Sequence, residues 1–432
     1  MVLNHFLLTK SLKNIFGLYL SLLIRRLLRD GKSACIPIIT SGKNIKKLDA
    51  TATEPNDIPL TKEPVWVLGK RYSAIQDIEK IRRDITSIIW FTYRKGFIPI
   101  GDDGLTTDKG WGCMLRCGQM ALAQSLVKVH MQEDWYWNVE TRDPTYLKII
   151  QRFEERRQSP FSIHQIALMG ACEGKEVGQW FGPNTVAQVL KKLVVYDNWS
   201  SLAIHVALDN TIVKDDISNT HLPDSSKTSH HPEEWKPLLL IIPLRLGLCE
   251  INPIYINGLK MCFCLPQSLG VIGGKPNQAL YLIGCVEDEV LYLDPHTTQK
   301  AGYVENKETD DQKDVDFTYH CKFAQRFPIM DMDPSVAVCF LCKTQAEFND
   351  LCQAFESSIM KESQPLFELC DERPKHWGPN EDLEQQLGAT ALNGTHGPAC
   401  SFDSSSPADT DSKNNNRTYI LMSRKGKLII KL

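Results

Sequence analysis

The sequence predicts an α+β fold, with helices packed on a mostly antiparallel sheet. Two observations carry that expectation. In the first half, apolar residues at Ile75, Ile78, Ile81, Ile85, Ile88 and Ile89 follow a helical period across 75–93. In the second half, short apolar or alternating runs at 199–208, 237–244, 279–285, 290–293 and 336–342 read as strands.

Taken in order, the elements begin after a linker-like stretch, 30–62, rich in Lys, Thr, Asn and Pro. Val65, Trp66, Val67 and Leu68 form a short apolar run typical of a strand. The helix at 75–93 follows. A Gly- and Asp-rich loop, 101–112, leads into a second helix at 113–130, with an apolar face of Leu115, Leu122, Leu126 and Val129. Further helices fall at 183–193 and 345–355, and Glu287, Asp288 and Glu289 form a hairpin turn. Residues 214–234 have the Ser, Asp, Thr and His content of a disordered surface insertion. Residues 381–417 are polar and low in complexity. The last stretch, 418–432, turns basic and apolar, and the sequence offers no account of it. The division is then a basic extension and linker at 1–62, a folded domain at 63–373, and a flexible tail at 374–432.

Composition narrows the function classes. The 432 residues are 42% hydrophobic and 23% charged, ordinary for a globular protein with a sizeable core. A net charge of -3 gives no sign of a nucleic-acid binder. The 14 cysteines are scattered, unlike the framework of a small secreted domain, so the chain is expected to be cytoplasmic with reduced thiols. The first 29 residues carry Lys10, Lys13, Arg25, Arg26 and Arg29 and no acid. A membrane-surface helix, a mitochondrial presequence and a segment without structural role all fit that pattern.

Reduced cysteine leaves thiol chemistry open. Cys113 sits where a glycine-containing loop meets a helix start, and there the helix dipole favours a thiolate. Gly112 permits close approach of a substrate backbone. A buried apolar cysteine is the competing reading. Among eleven histidines, His5, His221, His230, His231, His376 and His396 fall in poorly ordered stretches. His130, His164, His205 and His320 lack an obvious partner. His296 has one: Asp294 and His296, two apart at a strand end, can project together, with Pro295 stiffening the pair. An ordinary Asp-Pro turn with a solvated histidine is the alternative. Cys117, one turn after Cys113, is either a redox neighbour or a core thiol. Cys339 and Cys342 have metal-ligand spacing, yet at i and i+3 of a strand they face opposite sides.

These motifs also resemble a known family. Gly110-Trp-Gly-Cys-Met-Leu-Arg-Cys-Gly-Gln-Met120 and Leu293-Asp-Pro-His-Thr-Thr-Gln299 resemble the autophagins, cysteine peptidases that process ubiquitin-like autophagy modifiers. Trp90-Phe-Thr-Tyr-Arg-Lys95, Gly178-Gln-Trp-Phe-Gly-Pro-Asn-Thr-Val-Ala-Gln-Val-Leu190, Pro243-Leu-Arg-Leu-Gly247 and Pro266-Gln-Ser-Leu-Gly-Val-Ile-Gly-Gly-Lys-Pro-Asn277 extend the resemblance over most of 63–373. The Met-Leu-Arg-Cys continuation is similar to the animal subgroup.

The resemblance implies a papain-like fold with a small additional α/β subdomain, so that 63–373 is a peptidase domain. It implies Cys113 as nucleophile, His296 as acid and base, Asp294 as its orienting group, and Tyr93 as an oxyanion donor. Trp180 and the loop Lys275, Pro276, Asn277, Gln278 match a gate over the cysteine; Arg245 and Leu248 match contacts to the body of the modifier. The implied reaction is hydrolysis after a C-terminal glycine, on the precursor and on the conjugate with phosphatidylethanolamine. The implied partners are modifiers of the GABARAP type, met by a monomer with no metal or organic cofactor. Three features depart from the family pattern: the long insertion at 214–234, the N-terminal extension, and a tail ending Lys-Leu-Ile-Ile-Lys-Leu432 without an acidic docking motif.

Overall fold

A nine-stranded sheet carries the molecule. The computed structural model describes residues 57–101, 104–220, 235–304, 315–374, 377, 419–422 and 428–431. The extension 1–56, most of the insertion (221–234) and the stretch 381–417 lie outside the described residues, as do His5, His221, His230, His231, His376 and His396.

The chain opens with an antiparallel pair, β1 (Pro64–Val67) and β2 (Lys70–Ser73). Helix α1 (Ile78–Ser87), β3 (Tyr93–Ile100) and β4 (Leu105–Thr107) follow. Four helices come next: α2 (Cys113–His130), α3 (Pro144–Gln151), α4 (Ile163–Met169) and α5 (Pro183–Val194). Then come β5 (Ala203–Val206), β6 (Thr211–Val213), α6 (Lys214–Thr220), β7 (Leu238–Arg245) and α7 (Ile256–Cys264). A run of strands occupies the rest of the domain: β8 (Ser268–Lys275), β9 (Gln278–Val286), β10 (Glu289–Leu293), β11 (Thr298–Lys300), β12 (Gln325–Pro328) and β13 (Ser335–Cys342). Helix α8 (Gln345–Ser357) and β14 (Glu368–Cys370) close it. The terminal stretch forms an antiparallel hairpin of β15 (Tyr419–Met422) and β16 (Leu428–Lys431).

The sheet runs β12-β10-β9-β8-β13-β7-β5, with β1 on the far end of β9 and β2 on β1. Its pairings are antiparallel except β5 with β7, as the sequence predicts. The inner strands read as near-continuous apolar runs because both faces are covered. Side chains alternate between two cores. Ala279, Tyr281 and Ile283 of β9 join α2 and α5 on one face; Leu280, Leu282 and Cys285 join Phe263, Phe348 and Phe355 on the other. Each such fully buried aromatic contributes about 1.5–3 kcal/mol. The same alternation puts Cys339 in the first core and Cys342 in the second, the opposed facing expected of them. Among the described residues no group of three or more His, Cys, Asp or Glu is arranged to hold a metal ion, and no helix is long and apolar enough to cross a membrane.

Several sequence expectations need correction. The helix expected over 75–93 is only α1, and it stops at Ile88 with extended backbone. The following Ile, Trp, Phe, Thr and Tyr favour extended structure, and their backbone finds partners elsewhere. Ile89 bridges His320, and Trp90 N–H donates to Tyr319 O at 2.8 Å. The loop at 101–112 contains β4. Helix α2 is not amphipathic: nearly every residue from Cys113 to Val127 is buried, including Arg116, Gln119 and Ser125. A helix enclosed on all sides is a central helix, not a surface one. The expected insertion begins as helix α6, with Ile217 buried. Helices α3, α4 and α7 and the glycine-rich β8 were not foreseen. Three histidines without sequence partners have structural ones. His164 Nε2 lies 2.7 Å from Ile98 O, and His130 stacks on Trp199 at 4.2 Å. His320 is held between Thr86 O and the Tyr146 hydroxyl, each at 2.7 Å.

Candidate active site

Helix α2 delivers Cys113 as its first residue. The turn ahead of it is built around Asp108. Asp108 O accepts from Gly112 N–H at 2.8 Å, and Asp108 Oδ2 accepts from Arg116 Nε at 2.8 Å. Arg116 Nη1 also donates to Glu155 at 2.8 Å and to Gln119 at 3.0 Å. This ion cluster is fully buried. Burial opposes the Arg116 charge, but the two carboxylates outweigh it and raise the guanidinium pKa. The knot fixes the helix start and so the thiol. It also explains Gly112 differently from the sequence reading: a Cβ there would meet Asp108 Oδ2 at 2.4 Å. The glycine makes room for the carboxylate.

Asp294 and His296 follow β10 in a turn, not in the strand itself. Their proximity comes from an Asx-type turn. Asp294 Oδ1 accepts from His296 N–H at 2.9 Å and sits 2.5 Å from His296 Nδ1. The pair that the sequence put on one strand face is thus held by its own backbone. Two further donors secure the aspartate. Trp90 Nε1–H donates to Asp294 O at 2.8 Å, and Gln278 Nε2–H reaches Asp294 Oδ2 at 3.5 Å.

Tyr93 opens β3, which pairs in parallel with β11 so that Tyr93 lies opposite Thr298. Tyr93 N–H donates to Pro295 O at 2.9 Å. The ring meets His296 edge to face, centroids 5.4 Å apart. Its hydroxyl hydrogen-bonds Cys113. Trp180 is a further hydrogen-bond partner of the thiol. The next residue, Phe181, is fully buried against Gly170, where a Cβ would meet its ring at 2.3 Å. That anchor turns Trp180 outward: it is 47% exposed, yet it hydrogen-bonds a sulfur in a residue only 3% exposed.

The electrostatics of the pair follow. Burial alone pushes the Cys113 thiol up, but hydrogen bonds from His296, Tyr93 and Trp180 and the imidazolium charge pull it below the ordinary thiol range. Burial alone lowers His296, but Asp294 and Cys113 raise it to about 9. Both shifts favour a thiolate–imidazolium pair, which can attack a carbonyl carbon and protonate a leaving amine. Cys113 is therefore expected to alkylate faster than the other described cysteines at pH 7, because its hydrogen bonds and the imidazole favour the thiolate. Cys262 and Cys339 are fully buried, and burial raises both thiols, Cys339 to about 12, so the competitors are the exposed Cys172 and Cys249 and the half-buried Cys264. Mass spectrometry after limiting iodoacetamide would refute the pair if labelling were uniform.

Residues 78–354 match the peptidase C54 catalytic domain. The chain belongs to the peptidase C54 family. Cysteine protease ATG4B of Gallus gallus is 49% identical over 361 residues, 78% of this chain and 91% of the relative. Cysteine protease ATG4B of Xenopus laevis is 50% identical, covering 74% of this chain and 86% of its own length. Cysteine protease ATG4A of Homo sapiens is 46% identical, covering 75% and 86%. This C54 peptidase is a cysteine-type peptidase with the papain-like α+β fold that its motifs implied.

The remaining sites lie where the fold puts them. Lys275, Pro276, Asn277 and Gln278 form the β8–β9 turn, with Pro276 setting the first corner and Asn277 at φ +62°, the pattern of a type II turn. Lys275 Nζ sits 4.6 Å from the Phe327 ring. Arg245 ends β7 and donates to Ser335 Oγ and to Leu248 O, while Leu248 is 86% exposed. No described hydrogen bond or ion pair links Arg245 or Leu248 to Cys113 or His296. Cys117 is fully buried, and burial, Cys113 and Asp294 push its thiol well up, so it stays protonated. Trp90 and the Asp108–Arg116–Glu155 cluster were missed. Trp90 stands in a quoted motif, but only Tyr93 was drawn from it. Nothing local in the sequence joins Arg116 to Glu155.

Proposed function

We propose that this C54 peptidase cleaves ubiquitin-like autophagy modifiers after their C-terminal glycine. Cys113 is the nucleophile, His296 the acid and base, Asp294 its orienting group and Tyr93 the oxyanion donor. The observation that carries the reading is a buried Cys113 sulfur, favoured as a thiolate, with the exposed Trp180 among its hydrogen-bond partners. Such a site excludes bulk and favours a narrow, extended tail, and glycine brings no side chain to clash there. The Lys275–Gln278 turn is assigned to the same gate, a reading supported by the reach of Gln278 Nε2–H to Asp294 Oδ2 at 3.5 Å. Arg245 and Leu248 offer an exposed patch for the modifier's body, of the GABARAP type.

The chemistry covers two substrates with one bond. Cys113 Sγ attacks the glycine carbonyl, and His296 gives its proton to the leaving nitrogen. Water then hydrolyses the thioester with His296 as base. The leaving nitrogen belongs to the next residue in a precursor and to the ethanolamine head in a lipid conjugate. Both are amides of the same glycine, so precursor activation and delipidation need no separate machinery.

The test is cleavage of a modifier precursor carrying residues past its glycine, beside a ubiquitin fusion and a modifier conjugated to phosphatidylethanolamine in vesicles. Release of both modifier products and none from ubiquitin is expected. Preferential cleavage of the ubiquitin fusion would instead make this a deubiquitinase, and modifier binding without turnover would make it a sequestering protein. A second expectation concerns Asp294→Ala. By analogy with triad carboxylates it loses about 3 to 5 kcal/mol of transition-state stabilisation, a roughly 200- to 5,000-fold drop in kcat/KM. Unchanged turnover would remove Asp294 from the mechanism.

A further inference from the structure

Arg94 directly follows Tyr93 in β3 and is fully buried. Among the described residues no ion pair joins its guanidinium to a carboxylate. Its acceptors are two carbonyls and a hydroxyl instead. Nη1 donates to Lys300 O at 3.2 Å and to Thr318 Oγ1 at 2.8 Å, and Nη2 donates to Thr318 O at 3.2 Å. The Tyr319 ring covers one face, its centroid 4.6 Å from the guanidinium carbon. The backbone of the same residue is fastened elsewhere. Arg94 N–H donates to Asp108 Oδ1 at 2.7 Å, and Arg94 O accepts from the Thr107 hydroxyl at 2.8 Å.

We infer that Arg94 is a positioning residue, one that joins the turn carrying the nucleophile to the segments carrying its histidine and aspartate. The inference rests on Cys113 and His296 as the reacting pair. On the backbone side, Asp108 O receives Gly112 N–H, and Gly112 immediately precedes Cys113. On the side-chain side, Lys300 ends β11. That strand begins two residues after His296 and lies beside β3, with Gln299 opposite Arg94.

Thr318 leads to the aspartate. Its neighbour Tyr319 accepts from Trp90 N–H, and the Trp90 indole donates to Asp294 O, each at 2.8 Å. Gln299 Nε2 donates to Thr92 Oγ1 and to Thr318 O, both at 3.0 Å, and so fastens β11 to the same segment. The thiol, the imidazole and the carboxylate come from stretches far apart in the chain. Arg94 is the residue whose own bonds reach toward all three.

The geometry asks for arginine rather than for any cation. A guanidinium is a rigid planar fork that spans several acceptors at fixed angles, whereas an ammonium is a compact point charge on a flexible stem. Arg94→Lys therefore keeps the charge and loses the span. Burying a cation without an ion pair is costly to the fold. What the buried fork secures is relative placement, and a shift of about 1 Å at a reacting pair can cost roughly 100-fold in rate.

The experiment compares the full chain with Arg94→Lys and Thr318→Val in two assays: cleavage of the modifier precursor, and alkylation of Cys113 by iodoacetamide, which needs no substrate. Arg94→Lys should lower kcat by about 10- to 100-fold with KM within about threefold of wild type, and should slow the alkylation at pH 7. Thr318→Val removes one acceptor at similar volume, and a loss of about three- to tenfold in kcat is expected. Leu351→Ala opens a cavity in the second core, so it should lower the thermal midpoint yet leave Cys113 alkylation at the wild-type rate. Full turnover in Arg94→Lys, a loss confined to KM, or equal slowing of alkylation in Leu351→Ala would overturn the inference. If Arg94→Lys does not fold, Thr318→Val decides, and wild-type rates there overturn it as well. Failure of the underlying reading shows elsewhere, in the wild type itself, as a Cys113 no more reactive than the exposed cysteines, and it takes the inference with it.

Discussion

Cys113→Ala is expected to abolish hydrolysis of the modifier precursor, with kcat lowered by at least roughly 10⁴-fold. The change removes one atom that the other groups are arranged around. The thiol hydrogen-bonds His296, Tyr93 and Trp180, so its loss leaves an orienting pair and an oxyanion donor with no nucleophile to serve. The fold should survive, because a small apolar side chain replaces a residue 3% exposed at a helix start whose anchoring lies in Asp108 and Arg116. Binding of the modifier should therefore persist. His296 supplies an independent readout. Its pKa of about 9 rests first on Asp294 and then on Cys113 against the cost of burial. Without the thiolate it should fall, visible in an NMR titration of the imidazole. Turnover by the variant within tenfold of wild type would exclude Cys113 as nucleophile.

Arg116→Met should cost about 3 to 5 kcal/mol of folding stability. Methionine fills much of the volume but leaves Asp108 and Glu155 buried without a counter-charge, their side chains 0% and 1% exposed. One partner removed from a buried pair is costly because the other keeps its desolvation penalty. Arg116→Lys should be milder yet still destabilising, since an ammonium cannot fork to Asp108 and Glu155 together. Urea unfolding followed by tryptophan fluorescence measures both. A loss below about 1 kcal/mol for Arg116→Met would show the cluster to be solvated in solution.

The parts of this site that depend on near neighbours were legible in the sequence. The start of α2 at Cys113 could be read because the loop glycines end where a run of helix-forming residues begins. Asp294 and His296 could be paired because two residues separate them, although a turn rather than a strand holds them. Contacts between distant segments were not legible. Tyr93 was read into a helix, and β3 exists because its backbone pairs with Thr298 to Lys300, some two hundred positions on. Without the family resemblance nothing ties Tyr93 or Trp180 to the thiol. The charge of Arg116 was hidden for the same reason: a single arginine in an apolar helix reads as a surface residue until Glu155 and Asp108 are brought to it. The sheet was largely readable because buried strands are dense in apolar residues; β8 was not, since its glycines mask a strand that follows the β9 register.

The enclosure of α2 ties reactivity to folding. This helix has no polar face, so it cannot stand alone in water, and the groups that acidify Cys113 come from β3, the turn after β10 and the loop before α5. In the newly made chain Cys113 is one ordinary thiol among 14. Its pKa is pulled down only when the central helix has been roofed over. An unfinished or damaged molecule is thereby chemically quiet, and the rate at which this one sulfur is labelled at neutral pH is itself a gauge of how much of the population is native.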